Sequence, residues 1–579
     1  MHGMELTRTP QRKKRTPIIF LLLIFVLLSI ALMVFVIIPK PSKEQIPYFS
    51  ETNPLIYKGE VWGSIHRINE DIYIPLAFFE NHLPDLFFPD KQTDSYILAT
   101  SADVIQLFPD QTSFSINGMI EEVQRAPIII ENNQPYVSLH WLENYYPISY
   151  QAIEKAGVWL LTDGEALKKG IVSDKKASVH NLRLRSEASV EFPYYAEVKP
   201  GETVIIEEET EDYYFVRKEN GIAGYLKKKI IAETNNETIK LGFPREIPVA
   251  KEAPSPIHLT WEAVYSVNPR PDQLPHMPGV NVVSPTWFHI NDSEGNLKDL
   301  ASKEYVQWAK ERGYQIWGLF SNDFDPELTH EALSHFTVRK KIIDQLLQFC
   351  EEYELDGINF DIENVNLEDG PLVTQFMKEA SSILHQHNLI VSMDITFIST
   401  SENWSMFYER EKLKDIVDYL IVMAYDEHTS GMGIAGSVSS LPWVEGNLQR
   451  LLEIVPPEKL VLGIPFYTRL WEEKINDNGE KEITSQALTM NQALNWIEEN
   501  NLNVIYDQES GQNYVEMKAD DGTIYKMWLE DATSLRKRAE LARKYNLAGL
   551  AAWSRYFAND EAWAFLNEFY IQGSTNSES

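Results

Sequence analysis

Short apolar runs alternate with longer segments of helical periodicity over residues 255–575. Apolar runs of this kind, separated by helical segments, are typical of the buried parallel strands of an α/β protein. Eight such strands predict a (β/α)8 TIM barrel, with the working residues at the C-terminal strand ends. The predicted strands are His258–Ala263, Val280–Ser284, Gln315–Phe320, Gly357–Glu363, Ile390–Ile395, Tyr419–Tyr425, Val461–Pro465 and Gly549–Trp553.

The alternation is interrupted after the seventh predicted strand, at about residues 468–530. Polar and apolar residues alternate there in three runs, Val504–Tyr506, Tyr514–Met517 and Ile524–Trp528. A period of two indicates half-buried strands. We therefore expect a small α+β insertion that walls one side of a cleft at the barrel mouth.

Residues 61–162 contain an internal repeat. The stretch Tyr73–Asn81 (YIPLAFFEN) is matched 63 positions later by Tyr136–Asn144 (YVSLHWLEN). Each copy predicts a short strand that enters a short amphipathic helix, so the module is expected to be α+β. The repeat resembles the stalk-like repeats named after the copper amine oxidase N-terminal domain. A structural spacer or a wall-binding module is expected here.

The pattern changes again over residues 177–232, where short alternating strands are separated by glycine-containing turns. Such a segment predicts a small β-barrel. Its phrases Asn181–Arg185, Val198–Val204 and Tyr214–Tyr225 resemble the bacterial SH3-like domain, and the resemblance implies binding to a cell wall. A passive spacer is the alternative. Linkers are predicted on either side of these modules, at residues 39–60 and 233–254.

Residues 18–38 form an apolar run broken only by Ser29. A helix of ~20 apolar residues can cross a bilayer. The preceding residues 1–17 are basic and are expected on the cytoplasmic side. The run is long for a cleavable signal peptide, and no small-residue cleavage site follows it. The sequence therefore predicts a single-pass protein of the cell membrane whose C-terminal bulk is extracellular.

The chain of 579 residues carries 52 basic and 85 acidic residues, a formal net charge of −33. This balance argues against a nucleic-acid partner, which requires a cationic surface. Cys350 is the only cysteine, so no intramolecular disulfide can form. It lies in a helical apolar pattern and is expected to fill the core.

Polar residues interrupt the apolar pattern at the ends of several predicted barrel strands. In the fourth strand, Asn359, Asp361 and Glu363 are spaced two apart and share one face. The sixth strand ends in Met423-Ala-Tyr-Asp426, and the eighth ends in Trp553. Carboxylates are costly to bury unless they are partnered or used. Carboxylates, a tyrosine and a tryptophan at one rim predict a site that cleaves sugars.

These residues resemble glycoside hydrolase family 18. The family pattern Asp-x-x-Asp-x-Asp-x-Glu is matched at Asp356, Asp361 and Glu363, and Met-x-Tyr-Asp is matched from Met423 to Asp426. The chain departs from the pattern at Asn359, which replaces the second aspartate. That asparagine and the segment Tyr425–Glu445 resemble the branch that cleaves spore cortex and wall peptidoglycan as an N-acetylglucosaminidase.

The resemblance implies substrate-assisted, retaining cleavage of β-1,4 bonds next to N-acetylglucosamine. Glu363 would act as general acid and base, Asp361 would hold the acetamide N–H, and Tyr425 would place the acetamide oxygen. Trp553 would form the floor of the sugar site. The residues expected to line the substrate site further are Asn359, Met423, Asp426 and Asp356. No metal-ligand spacing is present, and no cofactor is expected.

The implied substrate is an N-acetylated polysaccharide, either peptidoglycan or a chitin-like glycan. The alternative is a non-catalytic protein of the same fold that binds glycans or tethers the wall. Non-catalytic relatives typically lack the glutamate at the Glu363 position, and it is present here.

Overall fold

The structure is a computed structural model that describes residues 16–37, 39–173, 178–475 and 479–575. Contacts between residues divide the chain into two compact units. One unit comprises the described parts of residues 1–75 and 138–244, and the other comprises those of 76–137 and 245–579.

The first unit is rich in β-structure and contains two helices, Thr16–Ile37 and Leu139–Leu142. A four-stranded sheet has the order Ile148–Ala152, Val158–Thr162, Pro54–Tyr57, Glu60–Ser64. A hairpin joins His66–Ile68 to Asp71–Pro75. A larger sheet is formed by Ala166–Val172, Arg183–Arg185, Tyr194–Glu197, Thr203–Glu209, Tyr213–Arg217, Ala223–Lys227, Ile231–Glu233 and Glu237–Thr238. Residues 178–233 thus have the predicted β-rich character, while their likeness to an SH3-like domain stays a prediction.

The predicted membrane location is contradicted. Within the part of the chain that the structure describes, no helix has the length and apolar character required to cross a bilayer. The predicted anchor at residues 18–38 lies partly outside the described residues, since residue 38 and many side chains of the helix Thr16–Ile37 are not described.

The second unit begins with the helix Leu76–His82 and an antiparallel five-stranded sheet, which we call the meander. Both copies of the sequence repeat contain the predicted strand and helix: Asp71–Pro75 precedes Leu76–His82, and Gln134–Ser138 precedes Leu139–Leu142. A hairpin pairs Ile128–Glu131 with Gln134–Ser138. The meander strands are Phe88–Asp90, Ser95–Ala99, Val104–Leu107, Ser113–Ile116 and Met119–Glu122.

The meander packs on two helices of the C-terminal domain, Phe336–Tyr353 and Gly370–Gln386. Buried Asp90 accepts a hydrogen bond from the first backbone N–H of the former helix, at 3.3 Å. Gln386 donates to the carbonyl oxygen of Ala102 at 2.9 Å. Ile97, Val104 and Phe336 form a buried apolar cluster between them. The centre of the predicted repeat module is therefore attached to the C-terminal domain.

The C-terminal domain is a closed barrel of eight parallel strands, as the sequence predicts. Hydrogen bonds link each strand to the next, and the first strand pairs with both the second and the eighth. The strands are β1 (Ile257–Glu262), β2 (Val282–Ile290), β3 (Gln315–Ser321), β4 (Gly357–Asp361), β5 (Ile390–Ile395), β6 (Tyr419–Met423), β7 (Leu460–Pro465) and β8 (Gly549–Trp553). A short strand, Leu297–Asp299, pairs with β2.

Apolar residues fill the barrel on both sides of its wall. Leu259, Trp317, Ile421 and Val461 belong to a buried cluster inside the barrel, and a larger cluster joins the strands to the helices. The helices of this domain are Lys303–Glu311, Pro326–Leu333, Phe336–Tyr353, Gly370–Gln386, Arg410–Ile416, Leu441–Leu451, Ala532–Lys544 and Asp560–Thr575.

The predicted α+β insertion is present between β7 and the helix Ala532–Lys544. Five antiparallel strands form its sheet, and the helix Met490–Glu499 begins with a capping box at Thr489. The strands are Thr468–Ile475, Lys481–Leu488, Ile505–Asp507, Gln512–Lys518 and Ile524–Trp528.

Candidate active site

The candidate site lies at the C-terminal ends of β4, β5, β6 and β8. Asp361 is the last residue of β4, and Glu363 follows two residues later. Met423 ends β6, and Tyr425 and Asp426 follow it. Trp553 ends β8. The polar residues that the sequence groups at the strand ends are therefore carried by one end of the barrel.

Asp361 and Glu363 share a hydrogen bond between their side chains. Burial raises the pKa of Asp361 to about 7. Burial, followed by the charges of Asp361, Asp394 and Asp426, raises the pKa of Glu363 well above its usual value. Glu363 therefore holds its proton to higher pH than an exposed glutamate does, and it shares this proton with Asp361. Among the described residues, no N–H or hydroxyl group donates a hydrogen bond to the buried Oδ1 atom of Asp361.

The backbone around Glu363 is fixed by two buried side chains. The Oδ1 atom of Asn322 accepts the N–H of Glu363 at 3.0 Å, and its Nδ2 donates to the carbonyl oxygen of Glu363 at 2.8 Å. The hydroxyl of Tyr408 donates to the carbonyl oxygen of Ile362 at 2.9 Å. These contacts place Glu363 although it lies beyond the regular strand.

Asn359 faces the interior of the barrel and is fully buried. Its Oδ1 accepts hydrogen bonds from Trp261 Nε1 at 2.9 Å and Ser284 Oγ at 3.1 Å. Its Nδ2 donates to Ser392 Oγ at 3.1 Å and to Asp394 Oδ1 at 2.8 Å. Asn359 therefore lies below the strand ends and connects β4 to its neighbours.

Tyr425 lies within electrostatic reach of the carboxyl groups. Burial, together with the charges of Asp394, Asp361 and Glu363, raises the pKa of the Tyr425 hydroxyl well above its usual value. The phenol is therefore a hydrogen-bond donor at neutral pH. Asp426 is exposed, accepts a hydrogen bond from the Tyr467 hydroxyl, and lies 3.6 Å from the guanidinium of Arg469.

Trp553 is partly buried, and its ring centroid lies 5.9 Å from that of Trp261. The ring therefore rests on the inner cluster of the barrel and retains some exposed surface. Four other tryptophans lie in the core: Trp261, Trp287, Trp317 and Trp471.

Asp356 is not brought to the rim. It precedes β4, and its Oδ2 accepts the backbone N–H of Ile316 at 2.8 Å while Oδ1 pairs with Lys251. Since a strand rises ~3.3 Å per residue, Asp356 lies about five residues and ~17 Å below Asp361. This carboxylate joins two strands and a preceding segment at the opposite end of the barrel.

Comparison with known proteins identifies the domain. Residues 317–558 match the sequence model described as glycosyl hydrolases family 18. This stretch is a family 18 domain. With it the chain is a glycoside hydrolase, which confirms the predicted class of enzyme.

Relatives of the family 18 domain include two proteins of Bacillus subtilis (strain 168). The uncharacterized glycosylase YvbX is 25% identical over 296 residues, which cover 49% of this chain and 83% of that protein. A cortical fragment-lytic enzyme is 24% identical over 256 residues, which cover 44% of this chain and 58% of the enzyme. The match therefore spans little more than half of the second relative.

A solved structure supports the fold of the family 18 domain. It is the C-terminal domain of a protein from Desulfitobacterium hafniense DCB-2, with a TM-score of 0.50 and 23% sequence identity. The superposition covers 55% of this chain and all of that domain.

Several neighbours of the site in the family 18 domain escaped the sequence motifs. Asn322 follows the end of β3, and its position at a strand end was the only signal in the sequence. Tyr408 and Tyr467 lie in loops without a pattern that points to the site. Asp394 interrupts the apolar strand β5 close to its end, and that position was its signal in the sequence.

Proposed function

We propose that this protein cleaves β-1,4 glycosidic bonds next to N-acetylglucosamine by retaining, substrate-assisted acid/base catalysis. The observation that carries the proposal is the pair formed by Asp361 and Glu363. A carboxyl group that stays protonated near neutral pH and lies beside a second carboxylate is suited to donate a proton to a leaving group.

Glu363 is proposed to protonate the glycosidic oxygen and then to remove a proton from the incoming water. Burial and three neighbouring carboxyl groups support this role, since they keep its pKa above the ordinary range. The hydrogen bonds of Asn322 hold the backbone from which the carboxyl group extends.

Asp361 and Tyr425 are proposed to hold the acetamido group of the substrate. The Oδ1 atom of Asp361 receives no hydrogen bond from an N–H or hydroxyl group of the described residues, and it is proposed to accept the acetamide N–H. The Tyr425 hydroxyl, protonated at neutral pH, would donate to the acetamide oxygen. The acetamide oxygen would then attack the anomeric carbon as the leaving group departs, and water would open the resulting oxazolinium ion.

Trp553 is proposed to lie beneath the sugar ring, because its face is partly exposed at the end of β8. Met423 and Asp426 are proposed to line the same site from the end of β6. Asn359 is proposed to support the substrate site from the barrel interior, through its hydrogen bonds to neighbouring strands. Asp356 has no proposed role in substrate binding.

Peptidoglycan or spore cortex is the substrate we favour over chitin. Asn359 matches the corresponding branch of the family, and the cortical fragment-lytic relative supports the same choice. Residues 178–233 and the repeat module are proposed to contribute binding to the cell wall. No cofactor takes part in the proposed reaction.

The deciding experiment compares the full chain with its Glu363→Gln variant on purified peptidoglycan and on chitin. Reducing ends and the masses of the fragments would be measured. We expect N-acetylglucosamine reducing ends from peptidoglycan, and a loss of roughly 10³-fold or more in the variant, because a general acid and its second role as base are both removed. Equal release by both proteins would refute the proposal. Glycan binding without release by either protein would favour a non-catalytic, wall-tethering function.

A further inference from the structure

Besides the exposed Asp426, three carboxyl groups meet at the candidate site, and the sequence motif of β4 accounts for only two of them. Asp361 and Glu363 belong to that motif, whereas Asp394 comes from the neighbouring strand β5. Asp394 is only 1% exposed, and the charge of Asp361 acts on it directly. Because burying a carboxyl group costs free energy, its presence requires a reason beyond packing.

The amide of Asn359 complements this third carboxyl group. Its oxygen already accepts two hydrogen bonds and its nitrogen donates two, one of them to Asp394 at 2.8 Å. The side chain thus uses its full donor and acceptor capacity. An aspartate at position 359 would place a second carboxyl group at hydrogen-bond distance from Asp394, and one of the two would have to keep a proton. The asparagine on β4 and the aspartate on β5 therefore suit each other.

We propose that Asp394 is a positioning residue that supplies from β5 the carboxyl group replaced by Asn359 on β4, and that it acts there on Glu363. The inference deepens the proposed function and rests on it. It also explains how the departure from the family pattern is compatible with an active site, because the carboxyl group missing from β4 at position 359 is present on the neighbouring strand β5 as Asp394.

The surroundings of Asp394 support an electrostatic role. Its charge raises the pKa of Glu363 and of Tyr425, in each case alongside burial. Burial also raises the pKa of Asp394 itself well above its usual value, and the hydrogen bond from Asn359 opposes this shift. The titratable and charged groups that act on Asp394, or through its neighbours, are Asp361, Glu363, Asp426, Tyr425, Tyr467, Tyr408 and Arg410.

The test is the pH profile of kcat/KM for Asp394→Asn, for the exchange variant Asn359→Asp/Asp394→Asn, and for Ser392→Ala. Removing the charge of Asp394 makes it easier to ionise Glu363. We expect the alkaline limb of the Asp394→Asn profile to move to lower pH by about one unit, with kcat ~10–100-fold lower. The exchange variant returns the carboxyl group to β4, and we expect it to recover most of both losses. Ser392→Ala removes another partner of Asn359 without changing charge, and its limbs should not move.

An Asp394→Asn profile with unmoved limbs would overturn the inference, as would an exchange variant no more active than the single variant. If Asp394→Asn does not fold, the exchange variant decides alone. The pH dependence of the unfolding temperature provides a readout that needs no turnover. Wild type should lose stability more steeply than Asp394→Asn as pH rises towards neutrality, because a buried carboxyl group then ionises. An inactive wild type would refute the proposed function, while this second measurement would still support or contradict the electrostatic role of Asp394.

Discussion

Asn322 holds both backbone polar groups of Glu363, accepting its N–H at 3.0 Å and donating to its carbonyl oxygen at 2.8 Å. The Nδ2 atom also donates to Thr329 Oγ1 at 2.8 Å, which fixes the amide from the helix Pro326–Leu333. The residue after β3 thus sets the position of a carboxyl group that lies two residues beyond β4.

Replacing Asn322 by alanine should lower kcat while leaving KM nearly unchanged. We expect a loss of ~10–100-fold, since a displacement of about 1 Å at a reacting group can cost that much. Steady-state kinetics on the polymer that wild type cleaves would measure it. The matched control is Thr329→Val, which removes the outer contact of Asn322 together with the hydrogen bond from the Thr329 hydroxyl to the carbonyl oxygen of Asp325, and it should retain most of the activity. A wild-type value of kcat in Asn322→Ala would show that the hydrogen bonds of Asn322 to the Glu363 backbone are dispensable.

The hydroxyl of Tyr425 should matter more than that of its neighbour Tyr467. Tyr425→Phe removes the proposed donor to the acetamide oxygen, and a donor of this kind contributes ~10²–10³-fold in kcat. Tyr467→Phe removes a hydrogen bond to Asp426 at the edge of the site and serves as the control. Comparable kcat values for the two variants would contradict the role assigned to Tyr425.

Asp361→Asn should stabilise the fold at neutral pH while it abolishes activity. The pKa of Asp361 is raised to about 7 in the folded state, so the folded chain binds more protons than the unfolded chain at pH values below that and above the usual aspartate range. Stability contributed by the protonated carboxyl group is therefore lost as pH rises from about 4 to about 7.

The Asp361→Asn variant has no ionisable group at this position, so it does not lose this stability as pH rises. We expect its unfolding free energy to exceed that of wild type at pH 7 by at least ~1 kcal/mol, as one pKa unit is worth about 1.4 kcal/mol. The two proteins should converge at pH 4. Chemical denaturation at both pH values would measure the difference, and equal stabilities at pH 7 would contradict the prediction.

Replacing only one partner of the buried ion pair of Arg339 and Glu379 should strongly lower the free energy of unfolding. Two hydrogen bonds of 2.9 and 2.8 Å join the side chains, and both are at most 1% exposed. Arg339→Met leaves Glu379 as an uncompensated buried charge, and we expect a loss of ~3–5 kcal/mol. The double variant Arg339→Met/Glu379→Met should lose less than the single one. Urea denaturation would measure both, and a double variant less stable than the single one would contradict this view.

The barrel was predictable because its strands are buried on both faces and stand out as apolar runs. All eight predicted strands are present, most with ends within two residues of the observed ones. The main difference is β2, which continues to Ile290 instead of ending at Ser284. The observed strand continues through Pro285, which lies near an irregularity in its pairing with β3.

The candidate site was predictable where the residues proposed to carry the chemistry are neighbours in sequence. Asp361, Glu363 and Tyr425 follow from two short motifs. Asp394 and Asn322 could not be placed in the same way, because their importance depends on contacts between strands that are far apart in sequence. Asp356 was misassigned to the substrate site since the motif includes it, although the strand direction puts it at the opposite end.

The meander affects the choice of boundaries for an expressed fragment of the catalytic domain. A fragment that starts at residue 255 would leave Phe336 without its apolar partners and the first turn of its helix without the carboxylate of Asp90. Such a fragment would expose apolar surface to solvent on the side of the domain that the meander covers, and it would tend to aggregate. The smallest soluble fragment should therefore include residues 76–137, even though more than a hundred residues of intervening chain must come with them.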